Sequence, residues 1–152
     1  FRMLDTTQLC DKIREAKEKA DLCIVYAHWG TEKMPSADWS QTTKAEELAE
    51  AGADLIVGSH PHVLQNIEYV NGVPVFYSLG NYFFGAAARD TGVLRVTVNT
   101  SDPSIKSLQF IPMLQYRGVS TMEGSEKQRV LDEMSSVSPG VAIDEDGYFT
   151  EE

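Results

Sequence analysis

The sequence predicts an α/β domain in which a parallel strand pair, joined by a crossover helix, is followed by antiparallel hairpins. Two short apolar runs, residues 22–27 and 55–57, lack alternation and are separated by a helical pattern. An Asn71-Gly72 pair stands between two strand-like segments. The chain has 152 residues, 42% of them apolar, which is the size and hydrophobicity of one globular domain with a real core.

Each element has its own justification. Leu9, Ile13, Ala16 and Ala20 recur at helical spacing opposite Lys12, Glu15, Lys17, Glu18 and Lys19, so residues 6–20 read as an amphipathic helix capped by Asp5, Thr6 or Thr7. Residues 22–27 are too few for an ordinary helix and read as a strand covered on both faces. Thr43-x-x-Glu46 reads as a capping box opening a helix through Ala45, Leu48 and Ala49, with Gly52 as its stop. Residues 55–57 form a second buried strand, and the strand-helix-strand order implies a right-handed crossover with both strands parallel.

Residues 63–70 and 73–79 flank Asn71-Gly72, which suits a type I′ turn because both central residues need positive φ. Residues 92–99 and 105–111 alternate in the strand manner around a turn at Ser101-Asp102-Pro103. Residues 126–137 form a last helix. Residues 138–152, with a Pro-Gly pair and clustered acids, read as a loosely held acidic tail behind a domain spanning 1–137.

The formal net charge of −10 excludes nucleic acid or an anionic membrane surface as the main partner, since either would be repelled at long range. No apolar run approaches the roughly 20 residues of a membrane helix. The clusters Asp144-Glu145-Asp146 and Glu151-Glu152 read as solubilising surface. Cys10 and Cys23 make neither a disulfide framework nor a Cys-rich zinc site and read as core residues. The chain starts at Phe1, deep in polar sequence and without Met, and reads as part of a longer protein.

All three histidines lie in two segments, Tyr26-Ala27-His28-Trp29-Gly30 and Gly58-Ser59-His60-Pro61-His62. Each follows an apolar run, so the imidazoles should stand where strands end and loops begin, the place where open α/β sheets hold ligands. Three neutral imidazoles converging there would suit a transition metal.

Three longer motifs support a named resemblance: His28-Trp29-Gly30-x-Glu32; the stretch from Ala51-Gly52-Ala53-Asp54 through Gly58-Ser59-His60-Pro61-His62-Val63-Leu64-Gln65 to Glu68; and Phe76-Tyr77-Ser78-Leu79-Gly80-Asn81-Tyr82-x-Phe84. Over residues 20–85 the chain resembles the bacterial capsule-synthesis CapA family, also called poly-γ-glutamate biosynthesis proteins. That family looks like a branch of the calcineurin-like metallophosphoesterases. The resemblance implies a four-layer αββα sandwich with two divalent metal ions at the strand ends.

Carried over residue by residue, the resemblance makes His28 the isolated histidine ligand. It makes His60 and His62 the Gly-His-x-His pair, with one residue inserted after Gly58. Alternate residues on an extended segment would reach two ions about 3.5 to 4 Å apart. Glu32 either orients an imidazole N–H or is a solvated loop carboxylate, and Asn81 either holds a turn or turns its amide to the site. Trp29, Tyr82, Phe83 and Phe84 read as packing, with a place in the substrate pocket as the alternative for Trp29 and its fellow aromatics.

The Asp-x-His, Gly-Asp and Gly-Asn-His motifs of metallophosphoesterases have no counterpart upstream of His28, and Gly80-Asn81 lies downstream and continues into Tyr82. The chain therefore reads as the C-terminal part of a CapA-like domain with an incomplete site. The resemblance implies a metal-dependent hydrolase or transferase at the extracellular face or cell envelope. Its partner would be an anionic capsule polymer or a phosphorylated envelope precursor. The alternative is a non-catalytic surface factor assisting polymer assembly or export. A partial sandwich would also leave sheet uncovered and invite self-association.

Overall fold

The computed structural model describes residues 5–85 and 87–152. The first four residues of the expected 1–137 domain, Phe1 among them, lie outside the described residues. Helix α1 (Thr6–Lys17) starts at Asp5, whose carboxylate accepts from the Gln8 N–H at 3.4 Å. Its apolar stripe buries Cys10 and Ile13. The helix ends three residues before the predicted Ala20.

Strand β1 (Ile24–His28) leads to helix α2 (Trp39–Glu50) and strand β2 (Leu55–Ser59), and β1 and β2 pair in parallel from Ile24 opposite Leu55 to His28 opposite Ser59. The helix begins earlier than Thr43. Asp38 is the true N-cap, its carboxylate accepting from the Gln41 N–H at 3.0 Å while the Gln41 side chain accepts from the Asp38 N–H at 3.0 Å. The box is Asp-x-x-Gln rather than Thr-x-x-Glu. At the other end Gly52 donates to Ala49 and Ala53 donates back to Leu48, a Schellman closure with Gly52 at φ +107°.

Strands β3 (Ile67–Val70) and β4 (Val73–Phe76) form the predicted hairpin, with Asn71 at φ +53° and Gly72 at φ +78°. Both strands are shorter than predicted, but a bridge between Leu64 and Leu79 continues their line. Because β4 also lies parallel to β2, the first sheet has the order β1-β2-β4-β3. Strands β5 (Arg89–Asn99), β6 (Ser104–Gln115) and β7 (Val119–Thr121) form a second, antiparallel sheet with an irregularity at Thr97/Val98. Helix α3 (Gly124–Val137) follows.

The two faces of the first sheet carry separate cores. One face sets Val25, Ala27, Ile56, Val75 and Tyr77 against Ile13, Ala45 and Leu48 of the helices α1 and α2. The other sets Leu55, Val57, Ile67 and Phe76 against Leu108 and Phe110 of β6 and Val130, Leu131 and Met134 of α3. Layering of this kind is that of a mixed α/β protein.

Two expectations fail here. Strand β1 is not covered on both faces: Val25 and Ala27 are buried, but Ile24 is 51% and Tyr26 71% exposed. It is an edge strand, and the second core reaches only its neighbours. The stretch 138–152 is not loose either. Strands β8 (Val141–Ile143) and β9 (Phe149–Glu151) form a hairpin whose Val141 and Phe149 enter the second core, Phe149 standing edge-on to Phe76 at 5.9 Å. Asp144 makes the turn by accepting from the Asp146 and Tyr148 N–H groups at 2.9 and 2.8 Å, so one of its clustered acids is structural.

Candidate functional site

Parallel pairing sends the chain out of β1 and β2 at the same end, so His28 and the His60-His62 segment leave the same sheet edge. The rings form a continuous row. His28 and His60 have centroids 4.7 Å apart, and His60 and His62 6.1 Å apart. The three predicted histidines do meet in space.

Their backbone differs from the prediction. His60 has φ +102° and His62 φ +62°, so Pro61 is flanked by two left-handed residues instead of an extended segment. Such conformations cost about 1–3 kcal/mol each for a residue with a Cβ and persist where the surroundings enforce them. The surroundings here are explicit. The Pro61 carbonyl accepts from the Lys33 N–H at 2.7 Å, tying the loop after β2 to the loop after β1.

That tie is reinforced by an amide cluster. Gln65, fully buried, donates to the Met34 and Ser36 carbonyls at 3.0 and 2.9 Å and accepts from the buried Gln41 side chain at 2.8 Å. Asn66 accepts from the Ala37 N–H at 2.9 Å. Gln65 lies inside a motif quoted above, yet its role went unread. An amide between Leu64 and Ile67, where an apolar strand was expected, is the signal that could have exposed it.

Two imidazoles are oriented by partners. His62 Nδ1 lies 2.6 Å from Asn81 Oδ1, and since a carbonyl oxygen can only accept, the proton sits on Nδ1 and Nε2 is the acceptor nitrogen of the neutral ring. The segment leading into Asn81 is held: the Leu79 carbonyl accepts from Thr91 Oγ1 at 2.9 Å and from the Gly92 N–H at 3.2 Å, and Ser78 Oγ accepts from the Gly80 N–H at 3.2 Å. His28 Nδ1 stands 3.3 Å from Ser59 Oγ, whose own proton goes to the Ala27 carbonyl at 3.2 Å. With that proton on Ala27, a neutral His28 would donate from Nδ1 and keep its lone pair on Nε2.

The remaining predicted residues fall elsewhere. Trp29 is buried, its indole N–H donating to the Tyr77 carbonyl at 3.0 Å, so it is part of the core. A Cβ at Gly58 would overlap both the Tyr77 carbonyl and that indole nitrogen, so this glycine serves close approach within β2 more than a turn. Glu32 is exposed and makes no hydrogen bond or ion pair to the described residues, which leaves it apart from the imidazoles. Tyr82, Phe83 and Phe84, expected to pack, are 62 to 65% exposed, because no layer covers their turn. Phe84 lies against His62 at 4.6 Å.

The donors brought together here are imidazole nitrogens. Among the described residues no group of three or more His, Cys, Asp or Glu side chains is arranged to hold a metal ion. A metal-ligating imidazole donates its other ring N–H to a partner, and His62, with Nδ1 on Asn81 Oδ1, meets that requirement. No helix among the described residues is long and apolar enough to cross a membrane.

Comparisons with known proteins place the chain among capsule-synthesis proteins. A family model described as bacterial capsule synthesis protein PGA_cap matches residues 2–86, which hold every histidine and Asn81. The PGA biosynthesis protein CapA of Bacillus subtilis (strain 168) is 50% identical over 72 residues, 47% of this chain and 19% of that protein. The capsule biosynthesis protein CapA of Bacillus anthracis is 35% identical over 127 residues, 78% of this chain and 29% of that protein. The uncharacterized protein y4sH of Sinorhizobium fredii (strain NBRC 101917 / NGR234) is 35% identical over 107 residues, 66% of this chain and 22% of that protein. The chain spans between 19% and 29% of the length of these relatives.

Proposed function

This chain belongs to the bacterial capsule synthesis protein PGA_cap family, and on that premise we propose that it is part of a cell-envelope protein of capsule or poly-γ-glutamate biosynthesis that contributes imidazole ligands to a divalent-metal site. One observation carries the reading: His28, His60 and His62 gather at the exit of two parallel strands, with Asn81 and Ser59 fixing two of the rings. Divalent ions bound there would polarise an electrophile and activate water. The chain's own part is to present Nε2 of His28 and His62, to hold their protons on Nδ1, and to keep both loops in register through the Lys33–Pro61 contact.

In this reading the complete protein is a metal-dependent hydrolase or transferase of the metallophosphoesterase type, with two metal ions. Its carboxylate ligands come from outside the residues described here, and its substrate is an anionic capsule polymer or a phosphorylated envelope precursor. A four-layer αββα sandwich is supported by helices on one face of the first sheet and strands β5 to β7 over the other. The test is calorimetric titration of the intact protein with Mn²⁺ or Zn²⁺, alongside assays of phosphodiester and polyglutamate cleavage. Metal binding and turnover that both vanish in H60A/H62A are expected. An intact protein that binds no metal and turns over neither substrate overturns the proposal.

The exposed Tyr82-Phe83-Phe84 run beside His62 favours a second reading, a non-catalytic factor that holds polymer during assembly or export. Polymer retention in a pull-down that survives H60A/H62A would select it.

A further inference from the structure

Among the described residues five non-glycine positions have positive φ, and three of them, Lys33, His60 and His62, meet at one hydrogen bond. It runs from the Lys33 N–H to the carbonyl of Pro61, between the two histidines. Backbone held at such angles persists only where its surroundings over-determine it, and it gathers at functional sites. Lys33 cannot supply that restraint by itself, because the loop after β1 is exposed from Thr31 to Ser36.

The restraint comes from Gln65. Its Nε2 donates to the Met34 and Ser36 carbonyls, and its Oε1 accepts from Gln41. Pro61 and Gln65 are thus tied to the same loop, which closes the segment carrying His62 into a ring through residues 33–36. The ring has a firm back wall. Gln41 accepts from the Asp38 N–H at the start of α2, and a Cβ at Gly30, which stands at φ +83°, would overlap the Gln41 amide group. The start of α2, the loop after β1 and the His62 segment therefore share one buried amide pair.

We propose that Gln65, with Gln41 behind it, is a positioning residue for the imidazole row. It acts through the loop after β1 and through Pro61 to fix the backbone angles at His60 and His62, and with them the separation of the two rings. The proposal rests on the metal reading above for its effect on affinity alone; the placement of the rings needs no metal.

Hydrogen exchange tests it first in the wild-type chain. The Gln65 side-chain amide and the Lys33 N–H should open together, with protection factors within about threefold of each other. A Lys33 amide less protected than Gln65 by about tenfold or more would overturn the linkage without any variant. Q65M, which keeps the bulk and removes the amide, should speed Lys33 exchange about tenfold relative to the core amides of β2 and shift the ring ¹⁵N signals of His60 and His62. L131A, which opens a cavity in the second core, should lower the melting midpoint and do neither. A folded Q65M with unchanged exchange and ring signals would overturn the proposal, as would equal changes in L131A. In the intact protein, Q65M should bind Mn²⁺ or Zn²⁺ about tenfold more weakly than wild type, as loss of support around a ligand does. Wild-type affinity in Q65M would overturn the positioning role. A wild-type protein that binds neither ion would instead overturn the metal reading, with exchange and ring signals still deciding this one.

Discussion

His62 Nδ1 and Asn81 Oδ1, 2.6 Å apart, make the shortest polar contact at the site, and it decides which ring nitrogen carries the proton. N81A should therefore turn a single Nδ1–H tautomer into a mixture, visible in long-range ¹⁵N–¹H spectra. It should also lower metal affinity of the intact protein about 10- to 100-fold, the usual effect of losing an orienting partner. An unchanged tautomer would refute the assignment. Tyr77 illustrates a different residue-level effect. Its hydroxyl donates to Glu68 at 2.8 Å, and burial first, then Glu68, holds its pKa above the ordinary tyrosine value. A folded-state pKa raised in this way gives stability that is complete below pH about 10, where the unfolded tyrosine titrates, and that is lost as pH climbs further. Urea midpoints between pH 7 and 11 should show this fall, and Y77F should flatten it while giving up about 1 kcal/mol at pH 7.

Among the elements, the first half of α2 is the sharpest case. If Asp38 and Gln41 form its cap, D38A should cost about 1 kcal/mol in denaturant unfolding, while T43A, now within the second turn, should stay within about 0.5 kcal/mol. The reverse order would restore the box at Thr43. Both tetrads fit the capping pattern, so the sequence leaves them degenerate; the choice is made by Gln41, which is buried against Gln65 and so pulls the helix start forward. Elements with a strong local signal were legible: α1 behind Asp5, the Asn71-Gly72 hairpin, and the parallel pair around the helix. Strand β1 was legible as a strand but not in its burial, since an unbroken apolar run does not say which layer fails to reach it. The β8-β9 hairpin was hidden because its turn uses Asp144 and its anchors are only Val141 and Phe149, signals that charge clustering swamps. At the site, residue identity was legible and backbone conformation was not, for nothing in His60-Pro61-His62 announces two positive φ angles.

At the scale of the whole molecule, β1 presents Ile24, Tyr26 and His28 on one uncovered face and pairs along one edge alone. Exposed apolar side chains on an unpaired strand edge favour association. The 152-residue chain should self-associate with rising concentration in light scattering, and I24S/Y26S should shift it toward monomer. A wild-type chain that stays monodisperse across that range would count against it. The row of rings from His28 to Phe84 lies beside this face, so a covering partner and the candidate site would share a border.

The left-handed pair at His60 and His62 bears on how such a protein can change over time. Glycine adopts these angles without steric penalty, but H62G would leave the buried Asn81 amide without its 2.6 Å partner, so H62G should lower the denaturation midpoint, as should H28G, made in an extended strand. A library sorted only for thermal endurance would then keep His62 for its bond to Asn81, despite the backbone angle it has to adopt. The left-handed angle at His62 is tolerated for a contact that serves the fold and the candidate site at once.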